Sequence, residues 1–262
     1  MIKVEKIAKQ FIRPATGFWK RRHGQVVQAV GNISFHAEDG KITGLLGANG
    51  AGKTTTLRMI AALLKPDSGQ IVVDGVAVQA GEQTTQAQMG VLSDARGLYP
   101  RLTARENIVY YGGLHGMTCD QANQRVDELA KVLEMLSFIE RRCDGFSQGE
   151  KMKTALARAL VHDPKNIILD EPTNGLDVLA TRSLRDFLRW LRSPEGGSKC
   201  IIFSTHIMQE VERLCDSVVI VAHGKTVAQG TVNELLDLAK ETDFENAFVK
   251  LAFESEPMRG AA

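Results

Sequence analysis

The stretch Ile42-Thr43-Gly44-Leu45-Leu46-Gly47-Ala48-Asn49-Gly50-Ala51-Gly52-Lys53-Thr54-Thr55 decides the fold. Ile42 to Leu46 is an apolar run of strand length that ends in glycines, and Thr54 to Leu64 reads as a helix stopped by Lys65-Pro66-Asp67. Strand, glycine-rich loop and helix form the setting of a phosphate-binding loop, and Gly47 to Thr54 has that pattern's full spacing. The glycines allow backbone conformations in which successive N–H groups point at phosphate oxygens, and the helix starting near Lys53 adds its positive end. Gly47, Asn49, Gly50, Ala51, Gly52, Lys53, Thr54 and Thr55 are therefore the candidate ATP ligands. Lys53 is expected to reach the β- and γ-phosphates, and Thr54 to place its hydroxyl on Mg²⁺. A glycine-rich turn carrying an incidental lysine leaves the full pattern between strand and helix unexplained.

Outward from this stretch, Gln70 to Val73 and Val76 to Gln79 flank Asp74-Gly75, a strong hairpin signal. An antiparallel piece is expected there. From Thr103 to His162 polar and apolar residues mix at helical spacing, as in Val126, Leu129, Val132, Leu133 and Leu136. After Pro164 strand-sized apolar runs return at Ile167 to Leu169, Cys200 to Ser204 and Val218 to Ala222, with helical stretches at Thr181 to Arg192 and Met208 to Leu214. Such runs alternating with helices indicate a parallel sheet covered on both faces. The fold class is α/β, with a mostly parallel sheet, an antiparallel β subdomain and an inserted helical subdomain. The expected boundaries are a core with its β subdomain over 1–93 and 163–240, a helical subdomain over 94–162, and a C-terminal extension over 241–262. Arg13 to Gln25, containing Phe18-Trp19-Lys20-Arg21-Arg22-His23, reads as a basic, irregular loop, and Glu256 to Gly260 as poorly ordered.

Three further segments carry candidate chemistry. Asn166-Ile167-Ile168-Leu169-Asp170-Glu171 is an apolar strand running into two carboxylates, which strand alternation points in different directions. Asp170 suits a Mg²⁺ shell and Glu171 can polarise an attacking water, against the plainer reading of a solvated strand end. Ser147-Gln148-Gly149-Glu150 has the spacing of a helix capping box, with Met152, Ala155, Leu156, Ala159 and Leu160 on one face behind it. A helix amino terminus with a serine and a glycine is also an anion site, and spacing leaves both readings standing. His206, at the end of an apolar strand, can hold a γ-phosphate or merely close the strand.

Composition narrows the function. A formal net charge of +1 gives no field that would recruit nucleic acid or an anionic surface, so no nucleic-acid partner is expected. The amino terminus alternates apolar and charged residues with no signal-peptide core, which predicts a cytoplasmic chain. No apolar run approaches the ~20 residues of a membrane-spanning helix, so any membrane function needs another chain to span. Cys119, Cys143, Cys200 and Cys215 lack paired spacing and read as reduced thiols.

In order along nearly the whole chain, these elements resemble those of ATP-binding-cassette ATPases: the phosphate loop, a signature segment Phe146 to Glu150, the strand ending Asp170-Glu171, the loop Gly175-Leu176-Asp177 and the histidine His206. The resemblance implies a P-loop NTPase core that hydrolyses ATP as a dimer with a second copy or a homologous cassette. It implies that Ser147 and Gly149 contact ATP bound to the other protomer, and that Phe11 stacks on adenine. It also implies a separate integral-membrane permease, met through a groove around Leu98 to His115, which would hold the chain at the inner face of the cell membrane. Two positions depart from the family pattern. Asp94 stands where glutamine is usual after the strand Gly90 to Ser93, and still offers an oxygen to Mg²⁺; Gln148 and Glu150 stand where glycine and glutamine are commonest. Leu92 to Pro100, Phe146 to Lys153 and Glu245 to Leu251 resemble the NatA-like branch, ATPase subunits of sodium or drug exporters. A soluble cassette ATPase acting on nucleic acid or ribosomes is the alternative; the near-neutral charge and single cassette argue against it.

Overall fold

The computed structural model describes residues 1–13, 25–93 and 97–254. The strands are β1 (Ile2–Arg13), β2 (Gln25–Ala37), β3 (Ile42–Leu46), β4 (Ser68–Val73), β5 (Val76–Ala77), β6 (Met89–Leu92), β7 (Asn166–Asp170), β8 (Cys200–Thr205), β9 (Ser217–Ala222) and β10 (Lys225–Gly230). The helices are α1 (Lys53–Ile60), α2 (Gln83–Gln86), α3 (Ala104–Leu114), α4 (Cys119–Val132), α5 (Gln148–Leu160), α6 (Val178–Arg192), α7 (Met208–Leu214), α8 (Val232–Ala239) and α9 (Phe244–Val249), with a π-helical turn at Lys250–Glu254. The chain divides into two units. The first comprises Met1–Glu38, Ile42–Thr85 and Ser204–Ala262, and the second Asp39–Lys41 and Gln86–Phe203.

In the first unit the strand order is β5-β4-β1-β2-β10-β9-β3. The apolar runs β3 and β9 pair in parallel from Thr43 opposite Ser217 to Leu46 opposite Ile220, and β3 is buried throughout, as continuous apolar strands require. The antiparallel part is β1 with β2 and β4, and β4 with β5. Asp74 and Gly75 turn the last pair with φ of 49° and 84°, both left-handed, as a type I′ hairpin turn demands. Strand β5 is shorter than its sequence suggested, although Val78 N–H still donates to Ile71 O at 2.8 Å. Helix α1 likewise ends at Ile60 instead of Leu64: Ala62 turns left-handed at φ 56°, and the N–H groups of Leu63 and Leu64 fold back onto Arg58 O. The stretch from Phe244 to Ala252 contributes to the core, because Phe244, Phe248 and Leu251 pack with Val218, Ile220 and Leu235. Glu256 to Gly260 lies outside the described residues, as do 14–24 of the basic stretch.

In the second unit the order is β8-β7-β6, with β6 parallel to β7. Helices α3, α4 and α5 are inserted between those two strands. Thr103, Thr118 and Ser147 each begin their helix with a complete capping box. Val126, Leu129 and Leu133 are buried, whereas Val132 and Leu136, grouped with them by spacing, are exposed. Val132 faces away from that stripe, and Glu134 at φ 54° breaks the helix before Leu136 is reached. Cys119 is exposed, Cys143 and Cys200 buried and Cys215 half-buried, all as thiols.

Candidate functional site

The phosphate loop leaves β3 and enters α1 with a geometry only glycine permits at two points. A Cβ on Gly47 would lie 2.4 Å from Val221 O, and one on Gly52 would lie 2.6 Å from Ala29 O. Gly52 is also left-handed at φ 105°, as is Gly50 at 82°. Gly52 is the N-cap of α1 and supplies no side-chain cap, and the first turn holds no acidic residue. The first-turn N–H groups have no acceptor within the helix, so the positive end of α1 is directed at whatever lies over the loop. Lys53 is buried, with its ammonium donating to Gly47 O at 2.8 Å and Ala48 O at 3.3 Å. Thr54 and Thr55 are half-buried on the first turn, while Ala48, Asn49 and Gly50 are exposed at the loop's crest. Ala51 packs below them, its carbonyl accepting from Gly224 N–H.

Two other expected residues belong to the same unit. Gly47 N–H donates to Thr205 O at 3.4 Å, so the residue before His206 is bonded to the start of the phosphate loop, and His206 itself is exposed. Ile207 N–H donates to Thr205 Oγ1 at 3.0 Å and tightens the turn on which His206 sits. Phe11 pairs with Val27, two residues along β2 from Ala29, whose carbonyl approaches Gly52. Its ring is partly exposed, with Lys9 Nζ 5.9 Å from the centroid. The ladder thus carries an accessible aromatic ring near the end of the phosphate loop.

The second unit holds the carboxylates. Asp170 ends β7 and is buried. Strand alternation is not what separates it from Glu171, because the strand stops at Asp170 and Glu171 is left-handed at φ 46°. That conformation costs roughly 1–2 kcal/mol for a residue with a Cβ. Glu171 O accepts from Asn174 N–H at 3.1 Å, Thr173 O accepts from Leu176 N–H at 3.1 Å, and Gly175 turns left-handed at φ 73°. Asp177 then caps α6, its Oδ1 accepting from Ala180 N–H at 2.8 Å. Asp94 lies outside the described residues.

The signature segment is a helix start in every detail. Ser147 Oγ accepts from Glu150 N–H at 3.1 Å, and Glu150 Oε2 accepts from Ser147 N–H at 2.8 Å. That backbone bond, with the Arg141 guanidinium on the other carboxylate oxygen, holds the Glu150 carboxyl below its ordinary range. Phe146 is buried edge-on against Phe138 at 5.4 Å, with Arg141 over its ring. Ser147 and Gln148 remain exposed. Gly149 faces Ala180, near the start of α6, so the second unit brings the signature helix and the Asp177 loop together. Arg158 carries no motif and was not marked by the sequence, whereas Tyr111 lies within the stretch Leu98 to His115 that the resemblance gives as a groove.

Among the described residues no cluster of three or more His, Cys, Asp or Glu could hold a metal alone. Mg²⁺ needs no such cluster, since it keeps several waters and leans on nucleotide phosphates with one or two protein oxygens. The half-buried Thr54 hydroxyl and the buried Asp170 carboxylate are donors of the right kind.

A family profile described as ABC transporter matches residues 30–174. The ABC transporter ATP-binding protein NatA of Bacillus subtilis (strain 168) is 42% identical over 226 residues, covering 86% of this chain and 91% of that protein. The Nod factor export ATP-binding protein I of Paraburkholderia xenovorans (strain LB400) is 37% identical over 217 residues, covering 83% of this chain and 70% of that one. The solved structure of an ATP-binding subunit of an ABC transporter is similar at a TM-score of 0.79 and 26% identity, over 96% of this chain and 99% of that chain. An ATP-binding cassette solved as a dimer in a post-hydrolysis state with ADP and Pi is similar in fold, at a TM-score of 0.76 and 22% identity over 88% of this chain and 98% of that one.

Proposed function

This chain belongs to the ABC transporter family as an ATP-binding, ATP-hydrolysing subunit, and from that premise we propose that it closes on a second cassette around two ATP molecules and drives a separate membrane permease. One observation carries the reading: an uncapped helix start behind a glycine loop, with buried Lys53 held against the loop carbonyls. Gly47 to Thr55 grip the phosphates of one ATP, and Ser147 and Gly149 of the partner protomer complete its site. Phe11 offers a flat apolar face to the adenine.

Lys53 and the N–H groups of the loop neutralise charge as it develops on the γ-phosphate. Glu171 orients the attacking water and His206 steadies the γ-phosphate, so that attack proceeds in line with the bond to the leaving ADP oxygen. Thr54, Asp170 and Asp94 are the oxygen donors that would hold Mg²⁺, which when bound would supply positive charge against the phosphates. Closure with ATP and reopening after hydrolysis is the power stroke.

No helix among the described residues is long and apolar enough to cross a membrane. Exposed Tyr99, Tyr110 and Leu114 supply an apolar face for docking of the permease, and that docking places the chain at the inner face of the membrane. The resemblance of Leu92 to Pro100 and Glu245 to Leu251 to the NatA-like branch supports export of sodium ions or drugs. The relatives named for Nod factor export favour the outward direction as well.

The test is turnover and light scattering of the wild type and Glu171→Gln with ATP and Mg²⁺. The substitution is expected to reduce hydrolysis by about 10³-fold and to trap an ATP-dependent dimer. Normal turnover, or no dimer, would overturn the shared-site reading.

A further inference from the structure

Arg158 lies on the last turn of α5, the helix that Ser147 begins. A guanidinium cannot lose its proton to escape burial, so neighbouring groups must compensate its charge. Burial works against the Arg158 charge and lowers its pKa. Contacts among the described residues act in its favour. Its Nη1 donates to Gly97 O at 2.8 Å, and its Cζ sits 4.4 Å from the centroid of the Tyr111 ring, a cation–π distance. Gly97 follows Asp94 by three residues, and Tyr111 belongs to α3.

The Tyr111 ring is the inner end of an aromatic series. It meets Tyr110 edge-on at 5.8 Å, and Tyr110 meets Tyr99 at 5.6 Å. Tyr99 is 46% exposed and Tyr110 48%, so the series begins at the surface and ends on a half-buried cation. Its outer member is fixed in place: Asn107, fully buried, accepts Tyr99 N–H at 2.8 Å and donates to Tyr99 O at 3.1 Å. Helix α5 runs about 16 Å from Ser147 to Arg158 at its ordinary rise. A rod of that length delivers at one end a rotation imposed at the other.

We propose that Arg158 is a positioning residue, which through Tyr111 and the Gly97 carbonyl sets the orientation in which α5 presents Ser147 and Gly149. That orientation then responds to pressure on Tyr99 and Tyr110, the face assigned above to the permease. The proposal rests on the reading that the start of α5 completes a partner's ATP site. A purely structural arginine would move stability and ATP affinity together. A positioning arginine moves turnover while leaving ATP affinity alone, because the phosphate loop of the same chain binds the nucleotide.

The experiment uses the full chain and its Arg158→Met, Arg158→Lys, Tyr111→Phe and Tyr111→Leu variants, with the Arg158→Met/Tyr111→Leu double variant. Tyr111→Phe keeps the ring face and is expected to turn over within about twofold of the wild type. Tyr111→Leu and Arg158→Met are each expected to lower kcat about 10-fold, with KM for ATP within about twofold. The double variant is expected to be no worse than the poorer single one, because both remove one coupling. Arg158→Lys, which keeps charge without the planar fork, falls between. Unchanged kcat in folded Tyr111→Leu, or losses that multiply in the double variant, would overturn the proposal. Should Arg158→Met fail to fold, the contrast of Tyr111→Leu with Tyr111→Phe decides alone. A Glu171→Gln variant that hydrolyses ATP removes the shared site itself. One that traps a dimer while the Arg158 series is indifferent removes only the positioning role.

Discussion

Gly52 in the phosphate loop and Gly149 in the signature helix are glycines for different reasons. At Gly52 a Cβ would meet Ala29 O at 2.6 Å and the backbone is left-handed, so the unit that contains the loop forbids any other residue. At Gly149 a Cβ would find Ala180 Cβ at 3.5 Å, an ordinary contact. Its own helix would gain from a Cβ, since glycine in a helix costs roughly 1 kcal/mol relative to alanine. The first glycine is explained by the fold around it. The fold around it does not explain the second, and a partner's phosphate is the reason that the proposed shared site offers.

Gly52→Ala is the strongest way to break this comparison. Forcing a Cβ into a left-handed position costs ~1–2 kcal/mol, and the clash with Ala29 O adds strain, for a total expected near 3 kcal/mol. Urea unfolding measures the loss, and titration with a fluorescent ATP analogue is expected to find binding abolished. A Gly52→Ala protein as stable as the wild type would mean that the loop relaxes freely, and the contrast with Gly149 would vanish.

Gly149→Ala sharpens the comparison because its two effects are expected to have opposite signs. Stability is expected to rise by about 0.5 kcal/mol, while turnover falls roughly 10- to 100-fold through a methyl group placed where close approach is needed. The same unfolding and turnover assays measure both. Unchanged turnover in a stabilised protein would leave Gly149 without a functional reason and weaken the composite site.

The same contrast governs what the sequence makes legible. The phosphate loop is local: its spacing, its strand and its helix start all lie within a few residues, and the backbone conformations follow from the glycines. The capping box at Ser147 was legible for the same reason. Its signal, Ser or Thr followed three residues later by Glu or Gln, also marks Thr103, Thr118 and Thr231, where the structure has complete boxes too. What a box cannot reveal is whether its serine has a second duty, because that depends on a molecule absent from the helix. Left-handed residues with side chains were the other blind point. Nothing in the composition marks Ala62, which shortens α1, Glu134, which ends the α4 stripe, or Glu171, which turns away from the strand that was expected to orient it. The Arg158 to Tyr111 contact joins segments remote in sequence, and periodicity cannot see it.

The smallest effect separates the two duties of Ser147. Ser147→Ala and Thr231→Ala each remove one half of a capping box and are expected to cost about 1 kcal/mol, measured by urea unfolding. Thr231 caps α8 and has no place in the proposed site, so its variant is expected to keep full turnover, whereas Ser147→Ala loses turnover as well. Ser147→Asp completes the distinction, because aspartate caps as well as serine does and keeps the helix, yet sets a carboxylate against the phosphate of a partner's ATP. Stability is then expected to match the wild type while turnover falls about 10-fold or more through like-charge repulsion. Normal turnover in Ser147→Asp would make the serine a cap alone, and a loss in Gly149→Ala would then have to come from the Asp177 loop behind it rather than from a phosphate.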